Sequence, residues 1–196
     1  MCTLHVFSGH RATKAAHLKQ IASDLAWNSD GSSVIMLDEC DQVYSRAQHV
    51  RPADLLAAIR KSNASRYIVH LRSATGLTTG ISGCHMFDTS SGDWIYCHNG
   101  VIREGAALRV DSLILDETLD RVYPDELSPL SYGFANVIAI HQPTDTILIH
   151  RSIGGNLTTD GNGNWSSHSI SADYVAFNDV GWFGVFGNRV EQAWAF

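Results

Sequence analysis

The spacing of apolar positions changes several times along the chain. Thr3 to Ser8 is a short β-prone run directly behind Cys2 and reads as the first strand. From Ala12 to Trp27, the apolar residues Ala15, Leu18, Ala22 and Leu25 recur at helical spacing, with Lys14, Lys19 and Asp24 between them. The turn cluster Asn28-Ser29-Asp30-Gly31-Ser32 follows. Val34 to Leu37 and Gln42 to Ser45 read as two strands joined through Asp38-Glu39. Arg51-Pro52 opens a second helix that runs to about Lys61, with the proline near its first position. Tyr67 to Leu71 is an apolar strand, and a Gly/Thr/Ser-rich segment, Ser73 to Gly83, follows it. Trp94 to Cys97 reads as a strand that ends at His98-Asn99-Gly100, because Asn-Gly is a strong turn signal. Asp111-Ser112 is placed to cap a helix through Leu119. Asn136 to His141 and Thr146 to Arg151 form a hairpin around Gln142-Pro143-Thr144-Asp145. Trp165 to Ile170 is a further strand, and Ser171-Ala172-Asp173 starts a short helix. Trp182, Phe183, Phe186, Trp194 and Phe196 give an aromatic-rich end that packs on the core. Hairpins next to one another, interrupted by helices, make this an α+β chain.

Composition narrows the reading. No repeat or linker divides the 196 residues, so 1–196 is taken as one domain. At 44% hydrophobic and 17% charged, the chain carries a real core and too little charge for disorder. A net charge of -6 disfavours a nucleic-acid partner. No apolar run is long enough for a membrane span, and no secretory leader is visible. Cys2, Cys40, Cys84 and Cys97 are scattered without a C-x-x-C pair, which points to free thiols in a reducing cytoplasm. None of the 10 histidines forms a helical H-x-x-x-H pair with an acidic partner, so neither a metal nor any other cofactor is expected.

Four places carry candidate chemistry. Cys2 has two open readings. It is either a small apolar residue in a buried strand, or, once Met1 is removed, a nucleophile whose own α-amine serves as base. An α-amine has an unperturbed pKa of about 7.7–8.0, close to working pH. Arg72 leaves the end of a strand, where a guanidinium either is a solvated surface group, the commoner case, or suits bidentate grip on a carboxylate. Asn99 offers a side-chain amide and Gly100 an uncrowded N–H, a pair able to donate to a developing oxyanion or simply to form a turn. Asp111 suits a substrate ammonium or a helix cap. Cys97-His98 and Cys84-His85 are adjacent, but strand neighbours face opposite ways, which argues against thiol–imidazole pairs.

Taken in order, these pieces resemble the class II glutamine amidotransferase domain of the N-terminal nucleophile hydrolases. Met1-Cys2 is similar to the family's processed cysteine. His70-x-Arg72-x-Ala74-Thr75 is similar to its H-T-R-W-A-T, after which His85 falls on the histidine of N-A-H-P. Tyr96-Cys97-His98-Asn99-Gly100-Val101-Ile102 resembles V-H-N-G-I-I, and Asp111-Ser112 resembles T-D-S-E. Arg151-Ser152-Ile153-Gly154-Gly155-Asn156-Leu157 is similar to R-x-G-x-P-L. The resemblance implies a four-layer αββα sandwich of two antiparallel sheets. It implies that the Cys2 thiol attacks the side-chain amide of glutamine and forms a γ-glutamyl thioester that water hydrolyses. Asn99 and Gly100 would hold the oxyanion. Arg72, Thr75, Asp111 and His98 would line the substrate, with Arg72 on its α-carboxylate and Asp111 on its α-ammonium.

The departures from the pattern are Ser73 for tryptophan, Gly76 for histidine in the lid-like loop, Met86 for proline, and a shorter interval from Asn99 to Asp111. They bear on substrate identity and lid closure. Family synthetases continue into an acceptor domain where this sequence stops. The expectation is therefore an ammonia-releasing glutaminase subunit that feeds a separate synthetase or acceptor subunit. A stand-alone γ-glutamyl amidase and an inactive ligand- or partner-binding relative remain as alternatives.

Overall fold

Strands alternate their side chains between two faces, and here both faces are covered. The structure is a computed structural model. It describes residues 2–49, 51–73, 86–102, 115, 119–120, 133–152, 154–168, 170–179, 181–186 and 189–192. In chain order the elements are β1 (Thr3–Ser8), α1 (Arg11–Asp24), β2 (Gly31–Leu37), β3 (Val43–His49), α2 (Pro52–Lys61), β4 (Arg66–Arg72), β5 (Phe87–Asp88), β6 (Trp94–Ile102) and β7 (Gly133–His141). They continue with β8 (Thr146–Arg151), β9 (Thr158–Thr159), β10 (Trp165–Ser166), β11 (Val175–Ala176), β12 (Gly181–Phe186) and β13 (Arg189–Gln192). One sheet has the order β11-β9-β10-β1-β4-β2-β3, the other β13-β12-β8-β7-β6-β5. All described pairings are antiparallel.

The two sheets pack face to face. Leu4, Val6, Ile35, Leu37 and Ile68 meet Ile95, Cys97, Ile138, Ile140, Ile147 and Ile149 between them. Burial of each large aliphatic side chain contributes about 1.5–3 kcal/mol. On its outer face the first sheet presents Phe7, Val34, Tyr67 and Val69 to Ile21, Leu55 and Ile59 of α1 and α2. The outer face of the second sheet presents Trp94, Tyr96, Val137 and Trp182 to the helical residues Leu115 and Leu119. The layers therefore run α-β-β-α. No described helix is long and apolar enough to cross a membrane.

Three local expectations change. First, Asn99-Gly100 is not a turn. β6 runs on through both residues and pairs with β7 as far as Ile102↔Gly133. Second, Ser171–Asp173 is a turn closed by Tyr174 N–H donating to the Ser171 carbonyl, and it leads into β11. Third, only half of the predicted α1 stripe faces the core: Leu25 is buried and Leu18 packs against the same cluster. Ala15 and Ala22 are exposed, and the buried residues within α1 are His17, Ile21 and Asp24.

The third change has its cause on β1. His5 lies on the helix-facing side of β1, and its Nε2–H donates to Asp24 Oδ2 at 3.1 Å. Its Nδ1 accepts from Ser166 Oγ at 3.1 Å, and His17 Nδ1 lies 3.4 Å from it. Tyr174 O–H donates to His17 Nε2 at 2.6 Å. His168 Nδ1 lies 3.3 Å from Asp24 Oδ1, and Gln20 donates to that oxygen at 2.8 Å. Buried polar groups persist only when hydrogen-bonded, so this network replaces an apolar contact between helix and sheet.

Two buried histidines, His17 in this network and His150 outside it on β8, make the fold acid-sensitive. Burial pushes the His17 pKa down to about 2 and the His150 pKa down to about 3. Both imidazoles are neutral in the native state, whereas the unfolded chain protonates them near 6.5. Their contribution is complete above that value and is lost as pH falls toward the native ones. At about pH 5 each histidine removes about 2 kcal/mol. Asp24 adds nothing in this window. Burial opposes its carboxylate, but hydrogen bonds from His168, His5 and Gln20 together outweigh that and hold its pKa low. Its share is lost only below the unfolded carboxyl range. His168 runs the other way, raised by its hydrogen bond to Asp24, and is partly exposed. The urea midpoint is expected to fall steeply between about pH 7 and pH 5, and less steeply in His17→Asn. A flat profile would contradict the buried neutral histidines.

Candidate active site

Cys2 immediately precedes β1. Leu4 and Val6 face the inter-sheet core, so by alternation Cys2 lies on the same side of its strand. Its thiol is half-buried and reaches the Ser73 carbonyl at 3.8 Å. Arg72 is the last residue of β4 and is 7% exposed. Extending the β1–β4 ladder one step past Thr3↔Leu71 sets Arg72 opposite Cys2, on the face that Ile68 and His70 share. By register, Arg72 and Cys2 thus share one face of adjacent chain segments.

The second sheet supplies the facing wall. On β6, Ile95 and Cys97 point between the sheets, and Asn99 follows them. Asn99 is 4% exposed, and its Nδ2 donates to the Cys2 carbonyl at 3.2 Å. The next residue, Gly100, has φ +92, a backbone conformation that favours glycine. Its register partner, Ala135, turns both backbone groups toward Ser152: Ala135 N–H donates to Ser152 Oγ at 2.6 Å, and its carbonyl accepts from Ser152 N–H at 2.9 Å. Gly100↔Ala135 is therefore a non-hydrogen-bonded pair, and Gly100 directs its N–H away from β7. His98 lies on the other side of β6, between Tyr96 and its register partner Val137, which face the outer layer. Thr75, Asp111, His85 and Gly76 lie outside the described residues.

The two sulfurs differ in environment. Burial, and then the proximity of Cys2, pushes the Cys97 pKa up, which keeps that thiol protonated and inert. Cys2 is half-buried with solvent access. Chemically, a partly exposed thiol and an amide donor lie together here, with Arg72 at the adjacent strand end.

No family model and no curated protein matches the sequence. Solved structures do match. The allosteric regulatory enzyme of purine biosynthesis aligns over 100% of this chain with a TM-score of 0.64 and 12% identity. Glutamine phosphoribosylpyrophosphate (PRPP) amidotransferase from B. subtilis, complexed with ADP and GMP, aligns over 100% of it with a TM-score of 0.63 and 12% identity. The chain shares its fold with these structures, two antiparallel sheets packed face to face between helical layers. The chain spans about half the length of these neighbours, 50% in each case. Within the sandwich, Arg151 ties together the segments that follow β8. Its Nε donates to the Gly155 carbonyl at 2.9 Å and its Nη1 to the Asn178 carbonyl at 2.8 Å.

One polar residue beside Asn99 escapes the sequence reading. Asn136 interrupts the apolar β7, is 2% exposed and is the register partner of Asn99. An asparagine inside an otherwise apolar strand is the only sequence signal for it, and its partner becomes visible only with the register.

Proposed function

We propose that the chain hydrolyses the side-chain amide of glutamine or a close γ-glutamyl analogue. The observation that carries this reading is the Asn99 Nδ2 hydrogen bond to the Cys2 carbonyl, in a fold shared with a glutamine amidotransferase; Arg72, one register step past Thr3↔Leu71, supports it. Met1 is removed, and the freed α-amine takes the Cys2 thiol proton. The sulfur attacks the amide carbon. The oxyanion is held by Asn99 Nδ2 and the Gly100 N–H. Collapse of the adduct returns the proton to nitrogen and ammonia leaves. Water then attacks the γ-glutamyl thioester, releases glutamate and restores the thiol. Arg72 grips the α-carboxylate, and Thr75 and Asp111 complete the substrate pocket. His98, on the opposite face of β6, is assigned no contact. The ammonia passes to a separate acceptor enzyme, and the free thiols Cys2, Cys40 and Cys97 suit a reducing cytoplasm.

The test is ammonia release from glutamine, asparagine and γ-glutamyl amides, with intact mass to locate Met1. A diazo-ketone analogue of glutamine should add its mass to Cys2. Arg72→Ala should raise KM for glutamine about 10–100-fold with a smaller change in kcat, since it removes a charge-assisted bond made equally in ground and transition states. No ammonia from any amide and no adduct would reject the reading in favour of a binding module.

A further inference from the structure

An oxyanion donor is useful only if its amide cannot turn over. A free asparagine side chain presents oxygen or nitrogen to a given point with little preference. In the wrong orientation, Asn99 would aim a carbonyl oxygen at the developing negative charge. The structure holds a chain of amides that removes this freedom, and both ends of it are backbone carbonyls.

At one end, Asn136 lies 2.7 Å from the Asn156 carbonyl. A carbonyl only accepts, so the Asn136 atom there is Nδ2. The same Nδ2 lies 3.0 Å from the Asn99 side chain, which must present its acceptor, Oδ1. Asn99 Nδ2 is thereby turned outward, to the Cys2 carbonyl at 3.2 Å. That carbonyl too only accepts, so the assignment agrees from both ends. Each of the two Asn136 amide protons has one acceptor. One Asn99 amide proton goes to Cys2, and the other has no acceptor among the described residues.

The seat of Asn136 is shaped to hold it. A Cβ built on Gly155 would overlap Asn136 Oδ1 and come within 2.9 Å of the Ala135 carbonyl. Only glycine allows this close approach. Gly155 is itself fixed, since its N–H donates to the Ser152 carbonyl at 2.9 Å and its carbonyl accepts from Arg151. Asn136 Oδ1 is buried and accepts no hydrogen bond among the described residues. Turning the amide over would set that oxygen against two further acceptors.

From this we infer that Asn136 is a positioning residue, seated on Gly155, which locks the Asn99 side chain with its amide donor toward the nucleophile. The inference deepens the amidohydrolase reading and rests on it for its kinetic consequence. It predicts a transition-state effect, because Asn136 touches no substrate and leaves the thiol untouched.

The decisive variant is Asn136→Asp, nearly isosteric but without the donor. Its kcat for glutamine should drop about 10–100-fold, less than the roughly 10²–10³ for deletion of a donor itself. KM should stay within about 3-fold. Alkylation of Cys2 by iodoacetamide, a displacement with no oxyanion, should keep its wild-type rate within about 3-fold. The activity of Asn136→Asp relative to wild type should rise as pH falls, since a protonated carboxyl can again donate to Asn99 Oδ1. A loss of kcat under about 3-fold, a parallel fall in the alkylation rate, or a pH-independent ratio would each overturn the inference. If Asn136→Asp does not fold, Gly155→Ala serves in its place, with the same kcat-specific loss expected and the same first two outcomes against it. If the wild-type protein releases no ammonia, the amidohydrolase reading fails on its own. The side-chain amide resonances then decide: Asn136 protons protected from exchange, and an Asn99 signal that shifts in Asn136→Asp or Gly155→Ala, support the lock. Rapid exchange at Asn136 with an unmoved Asn99 signal rejects it.

Discussion

Cys2→Ala is expected to reduce glutamine turnover about 10⁴–10⁶-fold, the range over which removal of a nucleophile abolishes covalent catalysis. Nothing among the described residues can stand in for it. The nearest alternative sulfur, Cys97, is buried at 1% exposure and its pKa is raised, so it offers neither access nor thiolate. Asn99 and Arg72 would still bind and polarise the substrate, but water would have to attack unaided. Cys2→Ser should fall between wild type and alanine, because a hydroxyl keeps the geometry with a much higher pKa. A third arm separates the sulfur from its nitrogen. An uncleaved N-terminal extension leaves the thiol in place and turns the α-amine into an amide, which cannot take a proton. If the amine is the base, the extended chain should lose nearly as much turnover as Cys2→Ala, yet should still be alkylated by iodoacetamide. Steady-state ammonia release on all three proteins, with circular dichroism to verify folding, reads the result. Comparable turnover in Cys2→Ala and wild type would end the nucleophile claim.

Local signals and long-range ones fared differently in this sequence. β1 and β8 have the bounds that their apolar runs suggest, Thr3–Ser8 and Thr146–Arg151, because each is a short run with polar punctuation at its ends. At Asn99-Gly100 the dipeptide reads locally as a turn. The pairing of β6 with β7 from Trp94↔His141 to Ile102↔Gly133 overrides it, and Gly100 serves the strand through its positive φ instead. The buried face of α1 was only half legible, for a different reason. Burial of His17 and Asp24 makes sense only beside His5, Ser166 and Tyr174, and the last two lie some 150 residues away. The strands beside Cys2 and Arg72 could be placed from pattern alone, but not the contact of Cys2 with Asn99. That depends on which strand faces which across the sandwich, and periodicity does not encode it. The resemblance to a known family supplied the grouping instead. Thr75 and Asp111 lie outside the described residues, so their part in the grouping stays a proposal.

Asn99→Ala should lower kcat for glutamine about 10²–10³-fold, equivalent to roughly 2.7–4 kcal/mol of lost transition-state stabilisation. The size follows from where the donor sits. At 4% exposure, Asn99 is shielded from water and already oriented by Asn136, so no solvent molecule supplies an equal bond when the charge develops. The neutral amide of the ground state needs the donor far less than the oxyanion does. KM should therefore change little, opposite to the pattern expected for Arg72→Ala, whose partner is charged throughout. Truncation also strips Asn136 of one acceptor and the Cys2 carbonyl of one donor, and lost partners of buried groups cost about 1–3 kcal/mol of fold stability. Activity must then be compared at a temperature where both proteins are folded. Asn99→Asp should be at least as damaging as alanine, because a carboxylate there would repel both the oxyanion and the thiolate. A kcat for Asn99→Ala within about 3-fold of wild type, in a folded protein, would move the oxyanion donor elsewhere. The burial of two asparagines at the mouth of an apolar core would then have only a structural explanation.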